Sequence, residues 1–261
     1  MSAPCRSSWW QDRAPREPVA AKDLLGPGAV LVLSPHPDDE TLGCGGLLAA
    51  AASLGVPAHI VALSDGGGSH PGSRSHRPAR LAALRRAEQA LALARLGLPG
   101  GVALRLGFAD GGVPSSGPQF LTAVRAVRRL ALATAADAIF ATWAEDPHCD
   151  HRACACLAAA VAAGLPGIRR FSYPLWGRVR PPGAPAAIDA PQAVEVLSPL
   201  HLDIRPWLPR KRAALAAHRS QLGLAVVDDP AGFVLPDELL RLCLEPAELF
   251  LRHDRHAVCR A

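Results

Sequence analysis

At 261 residues, 49% hydrophobic and 20% charged, the chain can bury one substantial core, which excludes disorder over most of its length. Its 28 basic and 23 acidic residues leave a formal charge of +5, but the arginines are dispersed and only Lys22 and Lys211 are lysines, so no nucleic-acid partner is expected. No apolar run approaches the roughly 18 residues of a transmembrane span, and Met1–Pro18 lacks the apolar core of a secretory signal, so a cytoplasmic location with reduced thiols is the expectation. The seven irregularly spaced cysteines agree with it.

In chain order, short apolar runs alternate with longer Ala/Leu/Arg stretches of helical period, the pattern of a parallel α/β sheet with helices on both faces. Strands are predicted at Ala29–Ser34, Ala58–Ser64, Val102–Leu106, Asp137–Trp143 and Arg169–Leu175, with helices at Cys44–Leu54, Arg80–Leu96, Gln119–Thr134 and His151–Ala163. Gly55, Gly97 and Gly164 fall just past three of these helices, where a left-handed capping residue is wanted. The Gly-, Ser- and His-rich stretch Asp65–Pro78 reads as a mobile loop, with His70 and His76 exposed on it. Beyond Gly177 the signal weakens: a strand at Ala193–Leu197 and helices at Lys211–Gln221 and Asp237–Leu244 are predicted. The organisation expected is an extension over residues 1–22, a core over 23–176 and a smaller closing lobe over 177–261.

Ser34-Pro35-His36-Pro37-Asp38-Asp39-Glu40-Thr41 follows the first predicted strand, at the strand edge where α/β sheets bind ligands. One imidazole and three carboxylates within five residues call for a cation, because buried unpaired charge is expensive. His36 and Asp39 can converge on one ion, at roughly 2.0–2.2 Å if it is zinc. The bland alternative is a solvated turn in which Asp38 or Asp39 caps the next helix. Asp146-Pro147-His148-Cys149-Asp150-His151 follows the fourth predicted strand and could bring His151 to the same ion, leaving a coordination position open. Cys149 is a rival ligand, with Cys154 and Cys156 nearby, although those two point to different helix faces.

On these motifs the chain resembles the PIG-L/LmbE-like family of zinc-dependent N-deacetylases. The resemblance runs from about Val30 to Gln221 and rests on PHPDDE at Pro35–Glu40 and HCDH at His148–His151. Arg85-Arg86-Ala87-Glu88, Gly107–Gly111 and Lys211–Gln221 are similar too. It implies a Rossmann-like fold, a zinc ion, or another divalent metal, on His36, Asp39 and His151, a general base at Asp38, and a helper imidazole at His148 backed by Asp150. It also implies an N-acetylglucosamine-type sugar or glycoconjugate as substrate, with Arg85 lining its pocket. Cys149 replaces the family's usual proline, and Asp146 stands where some members carry a tyrosine that assists the oxyanion. That assistance would then fall to the metal, to His148 or to a backbone donor.

For the remaining residues an ordinary structural role competes. Arg85 and Glu88 could be an exposed helical ion pair, Asp110 a turn former or substrate contact, and His218 a buried structural histidine or substrate contact. The leading expectation is a zinc-dependent N-deacetylase. The alternatives are a zinc amidase acting on another small amide or thiol conjugate and an inactive metal- or sugar-binding protein. A homo-oligomer is compatible with the sequence.

Overall fold

A computed structural model of the chain describes residues 17–179 and 197–253. Its elements run α1 (Ala21–Leu25), β1 (Ala29–Ser34), α2 (Asp39–Leu54), β2 (Ala58–Ser64), α3 (Pro78–Leu96), β3 (Val102–Phe108), α4 (Gly117–Ala133), β4 (Ala136–Thr142), α5 (Cys149–Ala163) and β5 (Arg169–Tyr173). A short 3₁₀ turn, Trp176–Arg178, follows, and then β6 (Leu197–Asp203), α6 (Leu208–Leu215), α7 (Asp237–Cys243) and β7 (Ala247–His253). The seven strands form one sheet in the order β3-β2-β1-β4-β5-β7-β6, parallel through the first five. β7 pairs antiparallel with both β5 and β6. The α/β fold with a mostly parallel sheet is as the sequence implies.

β1 is buried at all six positions, as a central parallel strand covered on both faces should be. Val30 and Val32 face one apolar cluster with Phe140, Phe171, Phe250 and α2, whereas Leu31 and Leu33 face a second with Ile139, α4 and α5. α2 packs unusually close to its neighbours: a Cβ on Gly43 would lie 2.2 Å from the Tyr173 ring, and one on Gly46 would lie 2.3 Å from Ile204. Between them a buried ion pair binds the backbone of the helix. Lys211 Nζ donates to Leu42 O at 2.8 Å and to Glu248 at 2.7 Å, while Glu248 accepts from the amides of Gly46 and Leu47.

Several boundaries differ from expectation. α2 starts at Asp39 rather than Cys44 because Asp39, Glu40 and Thr41 are buried polar residues that imitate a loop in sequence. The late strand is Leu197–Asp203; residues 193–196 of the expected one lie outside the described residues. The helix expected over Lys211–Gln221 is Leu208–Leu215 followed by turns. β7 and α1 have no predicted counterpart, and β6 and β7 prolong the main sheet. The loop expected to be mobile is pinned. Asp228 accepts from Ser73 Oγ and from the amides of Arg74 and Ser75, and Asp229 accepts from the Gly72 amide. His70, expected exposed, is buried.

A candidate metal centre at the sheet switch point

Strand order reverses between β1 and β4: β1 continues to β2 on one side, and β4 to β5 on the other. Ligands of open α/β sheets bind where this divergence leaves a crevice at the carboxyl ends of the strands. The loop after β1 carries His36, Asp38 and Asp39, and the loop after β4 carries Asp146, His148, Asp150 and His151, so the fold itself brings the two sequence motifs together. Asp38 holds the first loop in an unusual backbone conformation, φ 157° and ψ −27°, from which α2 departs.

His36 Nδ1 lies 3.1 Å from Asp39 Oδ2, and His151 Nε2 lies 3.3 Å from the same oxygen. The far side of each ring is held by another carboxylate. His151 Nδ1 meets Asp146 Oδ2 at 3.0 Å, and His36 Nε2 meets Asp150 Oδ2 at 3.1 Å and Asp110 Oδ1 at 3.2 Å. His151 Nδ1 is directed at Asp146, and its buried Nε2, turned inward toward Asp39 Oδ2, makes no hydrogen bond. Between a ring nitrogen and a carboxylate oxygen this close a positive charge is needed, either a proton on the ring or a metal ion in its place. Although burial opposes it, Asp110, Asp150 and Asp39 raise the His36 imidazole well above its usual value, and Asp39 and Asp146 take His151 to about 9. Burial also opposes ionisation of Asp39, yet His151 and His36 hold it well below the ordinary carboxylate range. The donor set therefore fits a divalent ion.

The nitrogens of His36, His148 and His151 lie within 4.8 Å of one another, as do the donor atoms of His36, Asp110 and Asp150. Asp39 Oδ2 touches a ring nitrogen of both His36 and His151, while His148 Nδ1 accepts the Asp150 amide. The cysteines do not converge on this set: Cys149 groups with His148 and Asp150, Cys154 lies buried with its thiol toward Leu33 O, and Cys156 is exposed.

Asp38 points elsewhere. Its Oδ2 lies 3.3 Å from Arg85 Nη2, and Arg85 is fixed by donating to Gly66 O and Pro37 O. Burial pushes the Asp38 carboxyl up to about 7 against the pull of Arg85. Arg85 is therefore a buried group facing the site, not an exposed partner of Glu88, which instead accepts from Ser220. A cavity of about 240 Å³ opens onto His36, Asp38, Asp39, Arg85, Asp110 and His148.

Two expectations need correction. Asp150 does not back His148 with its carboxylate: only its backbone amide reaches His148 Nδ1, at 3.2 Å, while the side chain accepts from His36 and from the amides of Gly111 and Val113. Helix α5 begins at this point, so residue 150 folds back toward the β3 loop. His218 does not line the cavity; fully buried, it sets Nε2 3.2 Å from Thr41 Oγ1 beneath α2. Asp146, singled out in the sequence only for not being tyrosine, is the carboxylate behind His151. Its sequence signal is an acid five residues before a histidine, which cannot be told from a turn residue. Tyr173 Oη donates to Leu33 O, away from the cavity.

Residues 31–162 match the PIG-L family, described as GlcNAc-PI de-N-acetylase. The 2'-N-acetylparomamine deacetylase of Streptomyces fradiae is 36% identical over 146 residues, half of each chain, so this chain spans about half the length of that curated relative. Among solved structures, the conserved protein TT1542 of Thermus thermophilus is 27% identical with a TM-score of 0.58, over 90% of this chain and 98% of that one. The N,N'-diacetylchitobiose deacetylase of Pyrococcus horikoshii shares the fold at 20% identity, TM-score 0.61, over 88% and 85%. Among the described residues no helix is long and apolar enough to cross a membrane.

Proposed function

Because the chain belongs to the PIG-L family, we propose that it hydrolyses the acetamide of an N-acetylated amino sugar, free or in a glycoconjugate, to acetate and a free amine. One observation carries the reading: Asp39 Oδ2 stands between two imidazole nitrogens while the neighbouring Asp38 is turned away onto Arg85. Adjacent carboxylates thus divide into a metal ligand and a free base. The deacetylase relatives support the same reading.

His36, Asp39 and His151 would hold zinc or another divalent ion, which supplies Lewis-acid activation of water and of the amide carbonyl. Asp38, with its carboxyl at about 7, takes the proton of the attacking water and can return it to the departing amine. Arg85 fixes the direction of that carboxylate. His148 accepts the Asp150 amide at Nδ1, which leaves the proton of the neutral ring on Nε2. Burial, with His36 and His151, lowers its pKa and keeps it neutral. Its Nε2–H is the side-chain donor for the carbonyl oxygen as negative charge develops there, in the place of the missing tyrosine. Asp110 lies at the cavity edge beside Arg85, placed to accept a sugar hydroxyl.

Metal-loaded and chelator-treated protein assayed for amine release against a panel of N-acetylated sugars tests this. Release that requires metal is expected. No release from any sugar by folded, metal-loaded protein would reject the proposal.

A further inference from the structure

The cavity has a lining of two kinds. Besides the carboxylates and imidazoles it is lined by Leu42, Trp176, Phe233 and Leu235, with the Trp176 and Phe233 rings edge to face at 5.8 Å. Phe233 belongs to the segment between α6 and α7, which buries Ala217, Val226 and Leu235 but leaves Leu224, Val227, Phe233 and Val234 58, 81, 37 and 45% exposed. Val234 stands beside Gly223, and Leu235 N donates to Gln221 O, so the two ends of the segment close on each other. The segment is also tied to the mouth of the cavity. Phe233 N donates to Ser69 O at 2.7 Å, and Asp228 and Asp229 bind the backbone of residues 72–75.

At about 240 Å³ the cavity is smaller than the roughly 300–1,000 Å³ of sites that enclose drug-sized ligands. One sugar unit with its acetamide fills it, and whatever the sugar carries must leave past Phe233. What it meets there is the partly exposed Phe233 ring packed on Trp176, with exposed Val234 next in the chain, and exposed apolar surface at a pocket mouth marks a binding groove.

We propose that the preferred substrate is an N-acetylated amino sugar carrying an apolar aglycone, which lies on Trp176, Phe233 and Val234 while the acetamide reaches Asp38. This rests on the deacetylase reading and specifies its substrate class.

The test compares kcat/KM for N-acetylglucosamine and for its hexyl β-glycoside. The hexyl compound is expected to be better by about tenfold or more, the lower end of what apolar contact yields in a specificity pocket, with the gain in KM. Phe233→Ala and Val234→Glu should each reduce that ratio towards one. Val234 is a rim residue whose replacement spares the fold even if loss of Phe233 does not. Equal kcat/KM for the two compounds, or a ratio unmoved by Val234→Glu and a folded Phe233→Ala, overturns the proposal and leaves the deacetylase reading standing. No amine from either compound overturns both.

Discussion

Asp146→Asn should weaken metal binding about 10–100-fold without unfolding the chain, the range found when a carboxylate behind a metal-ligating histidine is lost. Asp146 is fully buried, and its carboxylate accepts three hydrogen bonds: from His151 Nδ1 at 3.0 Å, Leu175 N at 3.2 Å and Gly177 N at 2.7 Å. Asparagine in either flip brings its amide group against at least one of these donors. If it meets His151, the imidazole escapes by moving its proton to Nε2 and loses the lone pair that faces Asp39. A charge-assisted hydrogen bond contributes about 1.5–3 kcal/mol, and about 1.4 kcal/mol is a tenfold change, so the loss of this one bond accounts for that range. Competition against a chromophoric chelator measures the affinity, with a thermal melt of the metal-free protein as the control for folding. An affinity within about twofold of wild type in a folded variant would refute Asp146 as the residue that sets the His151 tautomer.

Asp38→Asn should keep its metal and lose about 10²–10⁴-fold in turnover, as expected for removal of a general base; loss of the metal would show that the two aspartates have been given each other's roles. Asp150→Asn should weaken metal binding and lower Tm, because it uncouples His36 and the Gly111–Val113 turn. Unchanged affinity with slower turnover would return Asp150 to service on His148. Burial pushes the His218 imidazole down to about 3, so between about 6.5 and 3 the unfolded chain binds a proton that the folded chain refuses. Stability contributed by this site is therefore lost as pH falls through that window. His218→Gln should flatten the acid limb of a urea-unfolding series, and parallel limbs for variant and wild type would count against it.

β1 and β2 are legible in the sequence to the residue, because a central strand buried on both faces is a nearly unbroken apolar run closed by Ser34 or Ser64. Elements whose stability comes from distant partners are not. β7 reads AELFLRH, and its Glu248 looks like a surface charge until Lys211 and the α2 amides are brought to it. β6 contains Pro199, which argues against a strand locally and is admissible at the sheet edge, where β6 lies. The 65–78 loop has the composition of a mobile segment, and what holds it is a pair of aspartates about 155 residues away.

The same division runs through the site. The convergence of His36, Asp39 and His151 is legible because the strand–loop–helix rhythm puts both motifs at carboxyl edges. What each donor leans on is not, since motif spacing is silent about the far nitrogen of a ring. HCDH suggests that Asp150 serves its near neighbour His148, but a residue in the first turn of α5 directs its side chain back across the switch point, where His36 and the β3 loop stand. The consequence is electrostatic. His36 stands between Asp39 and the pair Asp110 and Asp150, and His151 between Asp39 and Asp146, so four carboxylates surround two rings whose pKa values they raise. With Arg85 on Asp38, protons on the two rings supply the balancing charge, and a dication that displaced them would find both inward lone pairs free to bind it.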